Sequence, residues 1–257
     1  MCLDALGTAP TEKPAGDEDT QTPERLGFYD DFEDGDYTSA LTWETSLESG
    51  IGTVEIVDHE ESDSNPGGET SGTKALRISD ATDEELNERG ESASATLADP
   101  VDGWQGAWTL EGQFYAADVP TGEYADDVHV AIGLYDLDLE LLLTPRVELL
   151  FFGSDEQSEV ETRQSILDEG KWYAYELRHD GVGTYTAARW PATGDRGDRL
   201  SVTAEREPPS SPTERPALVT YGGYPEFIDQ VPPSPRPDPG SSRLTADHAY
   251  VRWRPEQ

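Results

Sequence analysis

Apolar and polar residues alternate along most of this chain with a period of two, the spacing of a strand that buries one face. Trp108, Leu110, Gly112 and Phe114 alternate with Thr109, Glu111 and Gln113, and Val54 and Ile56 flank Glu55. Val128, Val130, Ile132 and Leu134 hold even positions, but Leu137, Leu139, Leu141 and Leu143 are odd. A strand keeps its faces, so the change of parity predicts a turn or bulge near residues 135–139. Residues 127–135 and 140–152 therefore read as a hairpin, with Pro145 at an edge or bulge. A second hairpin is predicted from residues 172–179 and 183–190 around Asp180-Gly181, with Tyr173, Tyr175 and Leu177 on one face and Trp172, Ala174 and Glu176 on the other.

Shorter strands are predicted at 41–46, 52–57, 75–78, 200–205 and 218–221. Loops fill 58–73, 207–216 and 231–242, where Gly, Pro, Ser and Asp cluster. Residues 81–90 hold enough leucine for one or two helical turns and no more. The opening stretch 28–36 (FYDDFEDGD) and the last apolar run 247–253 (DHAYVRW) are predicted to lie side by side, closing one domain. The fold class that follows is all-β, a two-sheet antiparallel β-sandwich over residues 27–257. Residues 1–26 have three prolines and few large apolar side chains, and read as a disordered acidic linker.

Charge narrows the partners. With 54 acidic and 18 basic residues the net charge is −36, so nucleic acid and anionic membrane are not expected to bind. Acid excess with only Lys13, Lys74 and Lys171 for lysine resembles the proteins of salt-loving microbes, in which molar salt screens self-repulsion. Six Trp and eleven Tyr supply a core that an acidic disordered chain lacks. No apolar run is long enough to span a bilayer, so direct membrane insertion is not expected, and no secretory signal is visible. Cys2, followed by a Thr-, Pro- and acid-rich segment, resembles the lipid-modified start of a mature lipoprotein; the alternatives are an unmodified thiol and a surface structure, such as a virion component, assembled without a signal.

The ordered pieces carry a resemblance: FEDG at 32–35, GTKALRIS at 72–79, W-x-Y-x-x-E-L from Trp172, the DG turn, A-R-W-P-A at 188–192 and D-x-x-x-V at 247–251. Together they resemble the concanavalin A-like lectin and glucanase superfamily, the laminin-G-like jelly rolls. That resemblance implies two antiparallel sheets packed face to face, with sugar binding as a common role and structural proteins as frequent members; fold alone does not assign function.

It also implies sites. In similar jelly rolls a glutamate of the FE pair and an aspartate of the closing strand share a structural Ca²⁺, which maps onto Glu33 and Asp247, with Asp31, Asp34 and Asp36 as further oxygen donors. Similar laminarinase-type glycosidases carry paired carboxylates on one strand; Asp136, Asp138 and Glu140 are the matching residues, though the leading glutamate is an aspartate here and the parity change puts the group at a hairpin end. A saccharide surface needs aromatic faces, for which Tyr135, Tyr175, Tyr185 and Trp190 are candidates, against the plainer reading of strand aromatics as core. His59, His129, His179 and His248 lack zinc spacing. The sequence reading is a non-catalytic, Ca²⁺-stabilised sandwich at a cell surface or outside the cell, with a polysaccharide or glycoprotein as partner. A structural or virion surface module, homo-oligomeric or contacting assembly neighbours, is the first alternative, and a glycosidase the second.

Overall fold

The closing strand, β17 (Leu244–Pro255), is the axis on which the larger sheet is built. One of its edges pairs along its length with β7 (Ala107–Asp118). The other is shared by β4 (Lys74–Asp80), which pairs with its first half, and β1 (Tyr29–Asp30), which takes the second through Tyr29↔Arg252 and Asp30↔Val251. The predicted neighbourhood of the opening and closing stretches is therefore present. Adding β3 (Thr53–Asp58), β12 (Lys171–Asp180), β13 (Thr184–Pro191) and β14 (Leu200–Glu205) gives the order β14-β13-β12-β7-β17-β4-β3.

This computed structural model describes residues 27–38, 41–47, 52–59, 73–80, 92–119, 129–134, 139–143, 147–152, 156–161, 167–193, 199–207, 213–221 and 244–256. The predicted linker and the 81–90 segment lie outside them. Among the described residues there is no helix, and so none long and apolar enough to cross a membrane.

A second sheet runs β11-β10-β9-β8-β16-β5-β2. Its strands are β2 (Trp43–Leu47), β5 (Ser92–Leu97), β8 (His129–Leu134), β9 (Leu139–Leu143), β10 (Val147–Phe152), β11 (Glu156–Glu161) and β16 (Pro216–Tyr221). A two-stranded pair, β6 (Val101–Asp102) with β15 (Thr213–Glu214), stands apart. All pairings are antiparallel, as the sequence pattern requires.

The parity change is explained by register. Leu134 pairs with Leu139, so β8 and β9 form a hairpin that keeps Val130, Ile132, Leu134, Leu139, Leu141 and Leu143 in the core. Residues 140–152 are not one strand, however. β9 and β10 pair with each other, Leu143 against Glu148, so the chain reverses between them; Pro145 lies outside the described residues.

Inward positions of both sheets make one core. Trp104 packs at 4.8 Å from Trp108 and 4.9 Å from Trp253, measured between ring centroids, and Phe114 lies 5.8 Å from Tyr173. Each large apolar side chain buried in this way contributes roughly 1.5–3 kcal/mol. Gly112 interrupts the large residues of β7 because a methyl there would collide with the Tyr175 hydroxyl and the Tyr250 carbonyl.

Candidate functional site

Alternation gives the larger sheet a second, outward face. Register aligns it in rows across the strands: Arg77, Asp247, Tyr115 and Trp172 in one, then Tyr250, Gln113, Ala174 and Trp190, then Arg252, Glu111, Glu176 and Ala188, then Arg254, Thr109 and Arg178. A bulge between His248 and Tyr250 restores Tyr250 to the outward side.

Aromatic side chains surround a floor of small or amide side chains. His59, just past β3, sits edge-on to Tyr115 at 5.2 Å and 5.2 Å from Trp172, and those two rings lie 5.3 Å apart. Across the floor, Tyr250 meets the half-exposed Tyr29 at 6.1 Å, and Trp190 on β13 is partly exposed beneath the Arg199 guanidinium, 5.4 Å from its ring. Ala174 and Gln113 occupy the floor at 4% and 7% exposure, and the Gln113 side-chain carbonyl has no hydrogen-bond partner.

Charges on this face are joined across strands. Arg77 donates from Nε and a terminal nitrogen to the two oxygens of Asp247 at 2.7 and 2.8 Å, and His59 Nε2 lies 3.0 Å from the same carboxylate. Burial pushes Asp247 up, but the bonds to Arg77 and His59 more than offset this and hold it below the usual carboxylate range. Arg199 donates to Glu176 at 2.6 Å, Arg252 Nε to Glu111 at 2.6 Å, and Arg178 to both oxygens of Glu256 at 3.0 Å.

Several expected site residues are elsewhere. Tyr175 and Tyr185 are core residues, 0% and 3% exposed, because they share the inward parity of Leu177 and Ala187; neither can present a ring to a sugar. Burial pushes both phenols up, that of Tyr185 to about 12. Trp190 is outward, as a binding residue requires. Tyr135, Asp136, Asp138 and Cys2 lie outside the described residues. Glu140 is half-buried on β9, opposite Gly133 and Phe151 and in the other sheet from the aromatic floor.

The expected Ca²⁺ site does not fit these residues. Asp247 is fully buried with both oxygens on Arg77, so a cation would have to displace a guanidinium. Glu33 accepts from the Lys74 amide at 2.7 Å. Asp31, Asp34 and Asp36 each accept an amide two residues on, from Glu33, Asp36 and Thr38, and so shape the turn. Among the described residues no group of three or more His, Cys, Asp or Glu could hold a metal ion. Trp172, Tyr115, Gln113 and Tyr250 went unassigned at the sequence level, although opposite parity to Tyr173 and Phe114 was there to mark the first two as outward.

No family model and no curated protein sequence matches the chain. Solved structures do. The catalytic domain of a glycoside hydrolase family 131 protein from Coprinopsis cinerea matches with a TM-score of 0.52 at 12% identity, covering 88% of this chain and 92% of that one. The globular domain of T. cruzi calreticulin matches at 0.47 and 11% identity over 90% and 88%, and peanut lectin at 0.46 and 11% over 89% and 96%. At such identity the likeness is one of fold, and the fold shared with the glycoside hydrolase domain is a two-sheet antiparallel β-sandwich.

Proposed function

We propose that this protein is a non-catalytic carbohydrate-binding module, displayed at or outside the surface of a salt-adapted cell, and that the outward face of the larger sheet is its binding surface. The observation that carries this reading is the floor of Ala174 and Gln113 set between aromatic side chains on adjacent strands. Sugar rings present C–H faces that pack on Trp and Tyr, and hydroxyls that need a few directed polar partners. Trp190 and Tyr250, both partly exposed, supply the aromatic faces, and the exposed guanidiniums of Arg178 and Arg254 supply the polar partners. Support of a general kind comes from the fold, which this chain shares with a glycoside hydrolase catalytic domain.

Hydrolysis is the second reading, and one observation favours it: Glu111 and Glu176 are direct cross-strand partners. Opposite residues on antiparallel strands have Cβ atoms about 4.5–5.5 Å apart, which suits a pair of catalytic carboxylates. Each is committed to arginine, though, so neither is set up to give a leaving group its proton. Binding is therefore the reading we prefer.

A glycan array in molar salt tests it. Wild type should retain one or more saccharides, and Trp190→Ala should weaken them about tenfold, the value of one stacking contact. Unchanged retention in Trp190→Ala, or no saccharide bound by wild type, would remove the proposal. Release of reducing ends from a bound glucan, lost in Glu176→Gln, would replace it with the hydrolase.

A further inference from the structure

The arginines of this face are unequally used. Arg77 and Arg252 each spend Nε and a terminal nitrogen on one carboxylate, Asp247 and Glu111 respectively. The other three do not. Arg199 gives one nitrogen to Glu176 and holds its guanidinium carbon 5.4 Å from the centre of the Trp190 ring. Arg178 uses a single terminal nitrogen for both oxygens of Glu256. Arg254 stands 3.7 Å from Glu111, too far for a hydrogen bond, with its side chain 52% exposed. A guanidinium carries five N–H donors in a planar fork. Among the described residues, then, Arg178, Arg199 and Arg254 keep most of theirs unengaged on one sheet face.

Count and position add to this. Five arginines stand on the face (Arg77, Arg178, Arg199, Arg252 and Arg254) beside the carboxylates they pair with (Asp247, Glu256, Glu176 and Glu111) and the exposed Glu55 and Glu205, so what it offers an anion is uncommitted N–H donors and not a net positive charge. In a chain of net charge −36 with 18 basic residues, five of those residues stand together on this one face with donors to spare. Distance matters as well. At molar ionic strength the Debye length is about 3 Å, so a ligand on this face feels the contacting guanidiniums and little of the remaining charge.

From this geometry we infer that the saccharide taken by the face is acidic, a polysaccharide bearing carboxylate or sulfate groups. The inference rests on the proposed reading of the face as a carbohydrate surface. Arg199 is placed so that a ring stacked on Trp190 brings a substituent oxyanion within its reach. Arg254 and Arg178 are in one row with Thr109 between them, two strand spacings or roughly 9.6 Å apart, so they would meet a second charged group further along the polymer.

The test is titration calorimetry of the full chain in molar KCl with a neutral β-glucan, a polyuronate and a sulfated galactan. One or both acidic polymers should bind at least about tenfold more tightly than the glucan, and which of them does so identifies carboxylate or sulfate. Arg199→Gln and Arg254→Gln should each weaken the acidic ligand about tenfold, one charge-assisted contact each, and Arg254→Gln should change the glucan by less than about twofold. Arg254 is exposed, so Arg254→Gln stays informative even where Arg199→Gln, which strips a buried Glu176 of its partner, unfolds. Equal affinity for neutral and acidic polymers, or affinities untouched in Arg254→Gln, would overturn this inference and leave the saccharide surface standing. Failure of all three polymers would take the carbohydrate reading down as well. Single-stranded DNA binding as tightly as the acidic polymers would make the face a general polyanion site and would also refute the inference.

Discussion

His248 offers a test of the packing that needs no ligand. It follows Asp247 on β17 and points the opposite way, into the core, 5.8 Å from the Phe114 ring, with 0% exposure and no hydrogen-bond partner for either ring nitrogen. Burial lowers it to about 4 from 6.5, with the nearby Asp247 charge acting in the opposite direction. A histidine held neutral in the fold stabilises it fully above the unfolded value; as pH falls below that value the unfolded chain takes up a proton that the folded chain refuses, and stability drops until pH passes the folded value. At pH 5.5 the unfolded histidine is about ten-elevenths protonated and the folded one almost wholly neutral. The difference is about 1 kcal/mol relative to a histidine-free position, nearly all of which develops between pH 7.5 and 5.5.

The assay is thermal melting of wild type and His248→Leu in molar NaCl at those two pH values. Wild type should lose about 2–4 °C more than the variant on acidification, because a domain of this size shifts by roughly 2–4 °C per kcal/mol. At pH 7.5 the variant should melt at or above the wild-type temperature, since leucine of similar volume removes an unpartnered polar ring from the core. His59, His129 and His179 are common to both proteins and cancel in the comparison. Carboxylates in their ordinary range do not titrate in this window. Equal acid sensitivity in the two proteins would show that His248 is solvated or partnered, and would contradict its place in the core.

Asp247→Asn should lower stability by about 3 kcal/mol, read by denaturant melts, because it leaves Arg77 facing a neutral amide in a fully buried position. Trp43→Phe removes the indole N–H that meets the buried Asp30 carboxylate at 2.8 Å and should cost about 2 kcal/mol in the same melts, with circular dichroism unchanged. Gly112→Ala should cost about 3 kcal/mol by overpacking, and Tyr175→Phe should recover only part of it, since the Tyr250 carbonyl still meets the added methyl. A chelator should leave the melting temperature unchanged; a fall of several degrees would restore the calcium site that Glu33 and Asp247 do not form here.

Where burial is one-sided and side chains are large, the strands were legible from the chain alone. β7, β12, β13 and β14 follow from alternation, and β8 with β9 from the parity change. β5 escaped notice because its inward residues are Ala93, Ala95 and Leu97, too small to stand out, and β11 because it is a polar strand at the sheet edge paired only to β10. Assigning faces was harder. In β12 both sets hold aromatics, Trp172 on one side and Tyr173 and Tyr175 on the other, so periodicity shows that they oppose without showing which side is wet. Leu177 marks the inward set, and following it would have moved Tyr175 out of the binding list and Trp172 into it. Asp247 shows a related limit: residue type marks it as an oxygen donor, but its Arg77 partner stands 170 positions away and is supplied by strand order.

That strand order also requires the arginines. It sets Glu111 against Glu176, and like charges directly opposite destabilise a ladder. Arg252 on β17 and Arg199 beside β14 come in from the two flanks and neutralise the pair. Their carboxylate partners are largely buried, the Glu176 and Glu111 side chains being 6% and 14% exposed, so added salt weakens these pairs less than it weakens contacts in open water. Salt does screen the exposed carboxylates elsewhere on the molecule. The ion lattice of the outward face should therefore persist in molar salt while long-range repulsion fades.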